Sequence, residues 1–420
     1  MRRIVPLPLL AAVIFLAAAA PTPALATSSA ACSTPAPGTM SCFARVLAEG
    51  FRPAIASTLS RLPAGYGPQR FHRAYSLPNL TPRLHGTSGS RKKQTIAIVD
   101  AYSSRTAFAD LTHFDATFGL PVFPRCTRTI TSACFQAMNQ SGGTKLPRSA
   151  VPYGWDVEIA LDVQVAHEIC QNCRILLVEA TSASFANLGK AVNTAVANGA
   201  NVVSNSYGSY GADSSIGGTG PSAYDHPGHA IVAAGGDSGF GPSYPADLNT
   251  VVAVGGTSLR MSGNTYMSET TWNSSAKSAT GSGCDTTSLA RTWQKAVSTW
   301  AAVGCGIFRG MNDVSADADP NTGAAVYNSA GARPGWIQVG GTSLSAPLIA
   351  GAYALAANSG TVTYPASLAY AHPGALHDIT SAGNLPGTQA LPCTVIRQCT
   401  ARAGYDLPTG LGTPHGLAGF

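Results

Sequence analysis

The chain of 420 residues carries two acidic side chains four positions apart in an apolar setting: Glu158 and Asp162, in Gly154-Trp155-Asp156-Val157-Glu158-Ile159-Ala160-Leu161-Asp162. On a helix their Cβ atoms would stand about 6 Å apart, close enough to share a proton. On a strand they would share a face about 13 Å apart. Only the helix serves acid–base chemistry, and periodicity leaves both open. Trp155, Val157, Ile159, Leu161, Val163 and Val165 alternate as in a strand, but a wholly buried helix competes. A salt-bridged surface couple is the bland alternative, and the apolar bed argues against it.

The nucleophile candidate is Ser343, in Gly340-Gly341-Thr342-Ser343-Leu344-Ser345-Ala346-Pro347 ahead of an apolar stretch. The glycines allow close backbone approach, and Pro347 fits a first helical turn. A serine at a helix N-terminus has free N–H groups beside it that can hold an anion. An ordinary N-cap serine explains the same segment. Nine histidines are present, but none lies in a Gly-flanked motif at a helix start, so an imidazole is not the evident activator.

Positioning such groups takes a rigid frame. Residues 95–100, 174–179, 201–204, 230–234 and 251–254 are short continuous apolar runs, often ending in Gly, Asp or Ser. Such runs suit parallel strands buried on both faces. Ser184 to Asn198 carries apolar residues near helical spacing, with Gly199 as a stop. Alternating strands and helices predict a three-layer α/β/α fold with a mainly parallel sheet, its chemistry at the carboxyl ends of strands.

Composition excludes several classes. Hydrophobic residues make up 45% and charged residues only 11%, which rules out wholesale disorder. A net charge of +6, scattered along the chain, does not make a nucleic-acid binder. Met1-Arg2-Arg3, an apolar run and Ala24-Leu25-Ala26 read as a signal peptide cleaved after Ala26. The mature chain is then expected to be secreted, extracellular, free of the membrane and monomeric. Its ten cysteines fall in five sequence-local pairs, expected to bridge that way. Cys170 and Cys173 could instead be a redox pair, and no Cys/His set has zinc-finger spacing.

At this point the chain resembles the sedolisins, serine-carboxyl peptidases of subtilisin-like fold. The resemblance runs in order over roughly residues 70–420: AYSLP from Ala74, IAIVDAY from Ile96, FGLP from Phe118, then Glu158-x-x-x-Asp162 and Gly236-Asp237-Ser238-Gly239. YPA from Tyr244, VVAVGGTSL from Val251, DVSADADP from Asp313, GTSxSxP from Gly341, HDITS from His377 and TGLGTP from Thr409 complete it. It implies Ser343 as nucleophile, Glu158 as general base, Asp162 as its partner and Asp237 as the oxyanion-hole acid. It places Asp100 behind the pair as a further hydrogen-bond partner, and Ser206-Tyr207-Gly208 as the edge that pairs with extended substrate. It implies one structural Ca²⁺ held by the Asp378 and Asp406 side chains with the carbonyls of Ile379, Arg402 and Gly404, hard oxygen ligands throughout. Carboxyls sharing protons, and an acid that donates only when protonated, point to a working pH well below 7.

The family usually carries a long prosegment that assists folding and blocks the site. Here residues 27–68 form only a short arm before a peptidase domain over 69–420, and a clip near Arg91-Lys92-Lys93 is one route to activation. The leading expectation is a secreted acid endopeptidase acting on protein or peptide substrates through a Ser343 acyl-enzyme. The alternatives are a tripeptidyl aminopeptidase with the same site, a binding protein on an inactive scaffold, and, more distantly, a thiol oxidoreductase using Cys170 and Cys173.

Overall fold

The computed structural model describes residues 27–48, 62–78, 94–127, 133–211, 221–275, 278–332, 334–385 and 393–420. The expected signal peptide and the basic site at 91–93 lie outside the described residues. The apolar runs become strands of one eight-stranded sheet. They are β1 (Thr95–Ala101), β2 (Phe135–Asn139), β3 (Arg174–Ala180), β4 (Val202–Asn205), β5 (Ala230–Ala234), β6 (Val252–Ser262), β7 (Thr265–Thr271) and β8 (Val314–Asp317). The order is β7-β6-β5-β4-β1-β3-β2, with β8 also on β6, and every pairing except β6–β7 is parallel. All residues of β1, β3, β4 and β5 are buried, which is why these strands read as unbroken apolar runs. The strand expected over 251–254 runs on to Ser262.

The helices that matter are α1 (Ala107–Phe118), α2 (Trp155–Ile169), α3 (Phe185–Ala197) and α4 (Thr342–Ala356). α2 and α4 pack against each other and on one face of the sheet; α3 packs on β1 and β3, away from both of them. This is the three-layer arrangement expected. α2 settles the ambiguity around Glu158 and Asp162. All 15 of its residues are buried, so it shows no polar stripe, and its alternation is not a strand signal. Pro347 does not sit in a first turn: α4 starts at Thr342, and Pro347 lies inside it. A proline there cannot donate to the Ser343 carbonyl. That carbonyl instead receives the Ser206 hydroxyl at 3.4 Å.

The sheet order reverses beside β1: the chain runs from β1 to β2 at the edge, returns to β3 next to β1, and then crosses to β4 and β5 on the other side of β1. Open α/β sheets bind ligands at the carboxyl ends beside such a reversal. The ten cysteines form five bonds, Cys32–Cys42, Cys126–Cys134, Cys170–Cys173, Cys284–Cys305 and Cys393–Cys399. Cys170 and Cys173 are 1% and 2% exposed, too enclosed for exchange with a thiol partner. Among the described residues, no helix is long and apolar enough to cross a membrane.

The arm departs from its weak sequence pattern. Residues Ser28–Ala30, Ser41–Cys42 and Arg45–Leu47 are all strands. Each is only two or three residues long, and each finds its partner through tertiary contact.

Candidate active site

The carboxyl ends of the central strands bring the expected side chains together. Ser343 is the second residue of α4, after Gly341 at φ 92°, a backbone region that favours glycine. Its hydroxyl donates to the Ser206 carbonyl, just beyond β4, at 3.2 Å. Glu158 and Asp162 lie one turn apart on α2. The nearby Ser343 hydroxyl favours the ionised form of the Glu158 carboxyl, while it donates to Ser206 and leaves Glu158 Oε1 without a hydrogen-bond partner. Glu158 Oε2 also accepts the Ala44 N–H at 2.8 Å, and Asp162 Oδ1 accepts the Ser206 hydroxyl at 2.9 Å. Ser343, Glu158 and Asp162 are 0% exposed.

Burying several carboxyls together is costly unless they stay neutral. Burial, then the Asp100 charge, push Glu158 well above the usual carboxyl range; the nearby Ser343 hydroxyl and the Ala44 N–H pull it back. Burial, then the charges of Asp100 and Glu158, raise Asp162, against one opposing bond from Ser206. Burial and the charge of Glu179 raise Asp100. The donors decide where a single negative charge rests. Glu158 has the Ala44 N–H, Asp162 has the Ser206 hydroxyl, and neither oxygen of Asp100 has any, so the charge rests on the pair rather than on Asp100.

The hydrogen-bonding part expected of Asp100 is therefore not what the structure has. Asp100, the last residue but one of β1, lies opposite Glu179 of β3, and it is coupled to the pair electrostatically, each group raising the others, rather than by a hydrogen bond. Glu179 is a member of this cluster that the sequence reading left without a role. Burial lifts it to about 7, against bonds from Ser103 and Ser104, and its Oε1 accepts the Ser104 N–H at 3.1 Å. The signal was present, since both apolar runs end in a carboxylate.

Asp237 follows β5. Its Oδ1 accepts the Thr342 N–H and the Thr342 hydroxyl, both at 2.9 Å, which ties it to the start of α4. Its Oδ2 is buried with no hydrogen-bond partner. Burial raises this acid to about 7, against the Arg45 charge and the Thr342 bonds. A protonated Oδ2 is a hydrogen-bond donor waiting for an acceptor.

The edge strand Tyr207–Tyr210 begins one residue after Ser206, and the arm lies along it. Ser41 faces Gly208 and Cys42 faces Tyr207 in antiparallel register. The Phe43 N–H donates to the Ser206 carbonyl at 3.3 Å. A Cβ on Gly341 would sit 1.9 Å from the Phe43 carbonyl oxygen and 2.8 Å from Asp237 Oδ2. Those two oxygens thus share one small space that only glycine leaves open. Gly208 is equally constrained, since a Cβ there would meet Phe43 Cε2 at 2.9 Å. Tyr210 adds its ring, 5.8 Å from that of Phe43.

The residues expected around calcium gather at one C-terminal turn. Asp378 Oδ2 accepts the Gly404 N–H and Asp406 Oδ2 accepts the Arg402 N–H, both at 2.7 Å. Ile379 is buried beside them in sequence. Burial raises Asp406 to about 7, with the Asp378 charge adding to it. Two acids whose charges oppose each other across one turn fit a hard divalent cation.

A serine, a carboxyl pair and a third buried acid at the carboxyl ends of a parallel sheet define a subtilisin-like fold with a serine-carboxyl constellation. The Subtilase family matches residues 149–366. Sedolisin from Pseudomonas sp. (strain 101) is 35% identical over 188 residues, 42% of this chain and 29% of that protein. Kumamolisin from Bacillus sp. (strain MN-32) is 30% identical over 389 residues, 86% of this chain and 64% of that protein. The solved structure of Pseudomonas sedolisin, a serine-carboxyl proteinase complexed with two molecules of pseudo-iodotyrostatin, superposes with a TM-score of 0.66 at 26% identity. That match covers 84% of this chain and 96% of the other. The chain belongs to the subtilase family and, within that fold, to the sedolisins. It spans less than two-thirds of the length of these two relatives.

Proposed function

We propose that this protein is a secreted, acid-acting serine-carboxyl endopeptidase. The observation that carries this reading is Ser343 at the start of α4, packed against the helix α2 that holds Glu158 and Asp162 one turn apart, all three fully buried, with Asp237 bonded to the neighbouring Thr342. Glu158 takes the Ser343 proton as Oγ adds to the substrate carbonyl, and returns it to the leaving amine. Asp162 and Asp100, kept protonated by burial, leave the charge on Glu158. Asp237 donates from Oδ2 to the oxyanion. Extended substrate pairs with Ser206, Tyr207 and Gly208, and Gly208 with Tyr210 receives a large apolar side chain ahead of the cut.

The endo mode is supported by the arm. Its chain does not stop three residues before Phe43–Ala44. It continues from Ser41 to Met40, whose N–H donates to the Ala183 carbonyl at 2.8 Å. A tripeptidyl peptidase needs that end of the groove closed. The reading is tested by casein hydrolysis across pH with the purified protein. A maximum at about pH 3–5, where carboxyls titrate, supports it; a maximum in mild alkali sinks it.

Asp237→Ala removes the oxyanion donor and should lower kcat by about 10²–10³. Asp237→Asn keeps an N–H donor that does not titrate. It should retain more activity than the alanine variant and extend the alkaline limb of the pH profile upward. Equal losses in the two variants, with an unmoved limb, would remove Asp237 from this role.

A calcium ion would be held by Asp378, Asp406 and the carbonyls of Ile379, Arg402 and Gly404, and would supply stability rather than a step in the chemistry. Restoring calcium to 100 times its Kd after chelation should add about 2.7 kcal/mol. Differential scanning calorimetry reads this as a lower Tm with chelator and its recovery on adding calcium; no change counts against the site.

A further inference from the structure

The catalytic groups are not open to solvent. Ser343 and Glu158 are 0% exposed, and Asp237 is 4% exposed. What lies over them is the chain's own arm, laid out as a substrate would be. Ser41–Cys42 occupies the edge strand in antiparallel register. The Phe43 N–H binds the same Ser206 carbonyl that receives the Ser343 hydroxyl. The Phe43 carbonyl oxygen points into the space beside Gly341 and Asp237 Oδ2. The next nitrogen, that of Ala44, donates to Glu158 at 2.8 Å. One peptide bond therefore has its oxygen at the oxyanion acid and its nitrogen at the general base.

We infer that residues 27–48 are a built-in, substrate-like inhibitor and that Phe43–Ala44 is the first bond this enzyme cuts. The inference rests on the serine-carboxyl reading and deepens it. The far side of the bond is anchored as well. Arg45 and Val46 pair with Gly340 and Val339, the strand that leads into Ser343. Ser28–Ala30 pairs with Arg45–Leu47, so the chain before the bond is tied to the chain after it. The Cys32–Cys42 disulfide braces the loop one residue before Phe43. Such bracing lowers the entropy lost on binding. It also keeps the amine of a cut bond in place, where it can reattack the ester. The segment thus binds tightly and is cut slowly.

The chemistry balances with water alone. Ser343 Oγ adds to the Phe43 carbonyl carbon while its proton passes to Glu158. The C–N bond breaks and Glu158 gives that proton to the Ala44 nitrogen, leaving Ala44 as a new N-terminus. A solvent water then hydrolyses the ester, restoring the Ser343 hydroxyl and freeing Phe43 as a carboxylic acid.

The test follows the full chain by intact mass and N-terminal sequencing, alongside hydrolysis of an external peptide at acid pH. Wild type should develop an N-terminus at Ala44 in step with rising activity, and Ser343→Ala should show neither. A synthetic peptide of residues 27–48, oxidised to close Cys32–Cys42, should inhibit the activated enzyme. Replacing its Phe43 by Asp should weaken inhibition roughly 100-fold, as for loss of a central buried anchor. Activation with the 43–44 bond whole, new termini only elsewhere such as after Lys93, or a peptide that does not inhibit would overturn the inference. If an external peptide is cut through Ser343 while the arm stays intact, the arm assignment alone falls. If nothing is cut at any pH, the peptidase reading falls and takes this inference with it.

Discussion

Ser343→Ala should reduce casein hydrolysis at acid pH to the level of the uncatalysed background of the preparation, a loss on the order of 10⁴–10⁶ in kcat. Glu158→Gln should lose a similar amount, because it preserves shape but removes the proton acceptor. The two side chains act on one proton, so the double variant should be no worse than either alone. This non-additivity separates a shared step from two independent injuries. Neither change should unfold the protein. Ser343→Ala gives up one hydroxyl bond to a carbonyl, and the amide oxygen introduced by Glu158→Gln can still accept from the Ala44 N–H. Circular dichroism with kcat measured on the same samples checks both halves. Full activity in either variant refutes the assignment, and additive losses would place the two residues in different steps.

Much of this site was legible in the sequence, and its gaps have physical causes. The strands around it are buried on both faces, so their runs stand out without any partner in view. Ser343 and Asp237 follow glycine-rich segments beside such runs, where close backbone approach is the requirement. The helix carrying Glu158 and Asp162 was ambiguous because total burial erases the polar face that marks a helix. The Asp100 role was only partly right, since sequence order cannot tell a hydrogen bond from electrostatic coupling across buried space. Glu179 was visible as a strand-end carboxylate but meaningless until register placed it opposite Asp100. The arm was least legible. Ser41 and Cys42 take their partners from residues 207 and 208, and Arg45 from residue 340, so nothing local announces those strands.

The same buried acids predict that the fold strengthens as pH falls from about 7 to about 5, the reverse of ordinary acid denaturation. Asp237 and Glu179 are raised to about 7 in the folded state. Their unfolded values are about 3.9 and 4.3. Between those limits the folded protein holds two protons that the unfolded chain does not. Stability from a raised carboxyl is fully present below the unfolded pKa and is lost as pH rises through the folded one. Two such groups give about 2.7 kcal/mol per pH unit in that window. Asp100, Glu158, Asp162, Glu168, Glu269 and Asp317 are raised as well and act in the same direction. Opposing them are His72, His226 and His377, which burial keeps neutral and which disfavour acid, but they are fewer. Thermal unfolding of Ser343→Ala, which cannot digest itself, should show Tm rising by roughly 6 °C over those two units at constant ionic strength. Glu179→Gln should flatten the slope by about 1.4 kcal/mol per pH unit, one proton's worth. A Tm that falls on acidification from 7 to 5 would mean these carboxyls are ionised in the folded protein, and with them Asp237 could not be the donor that the oxyanion requires.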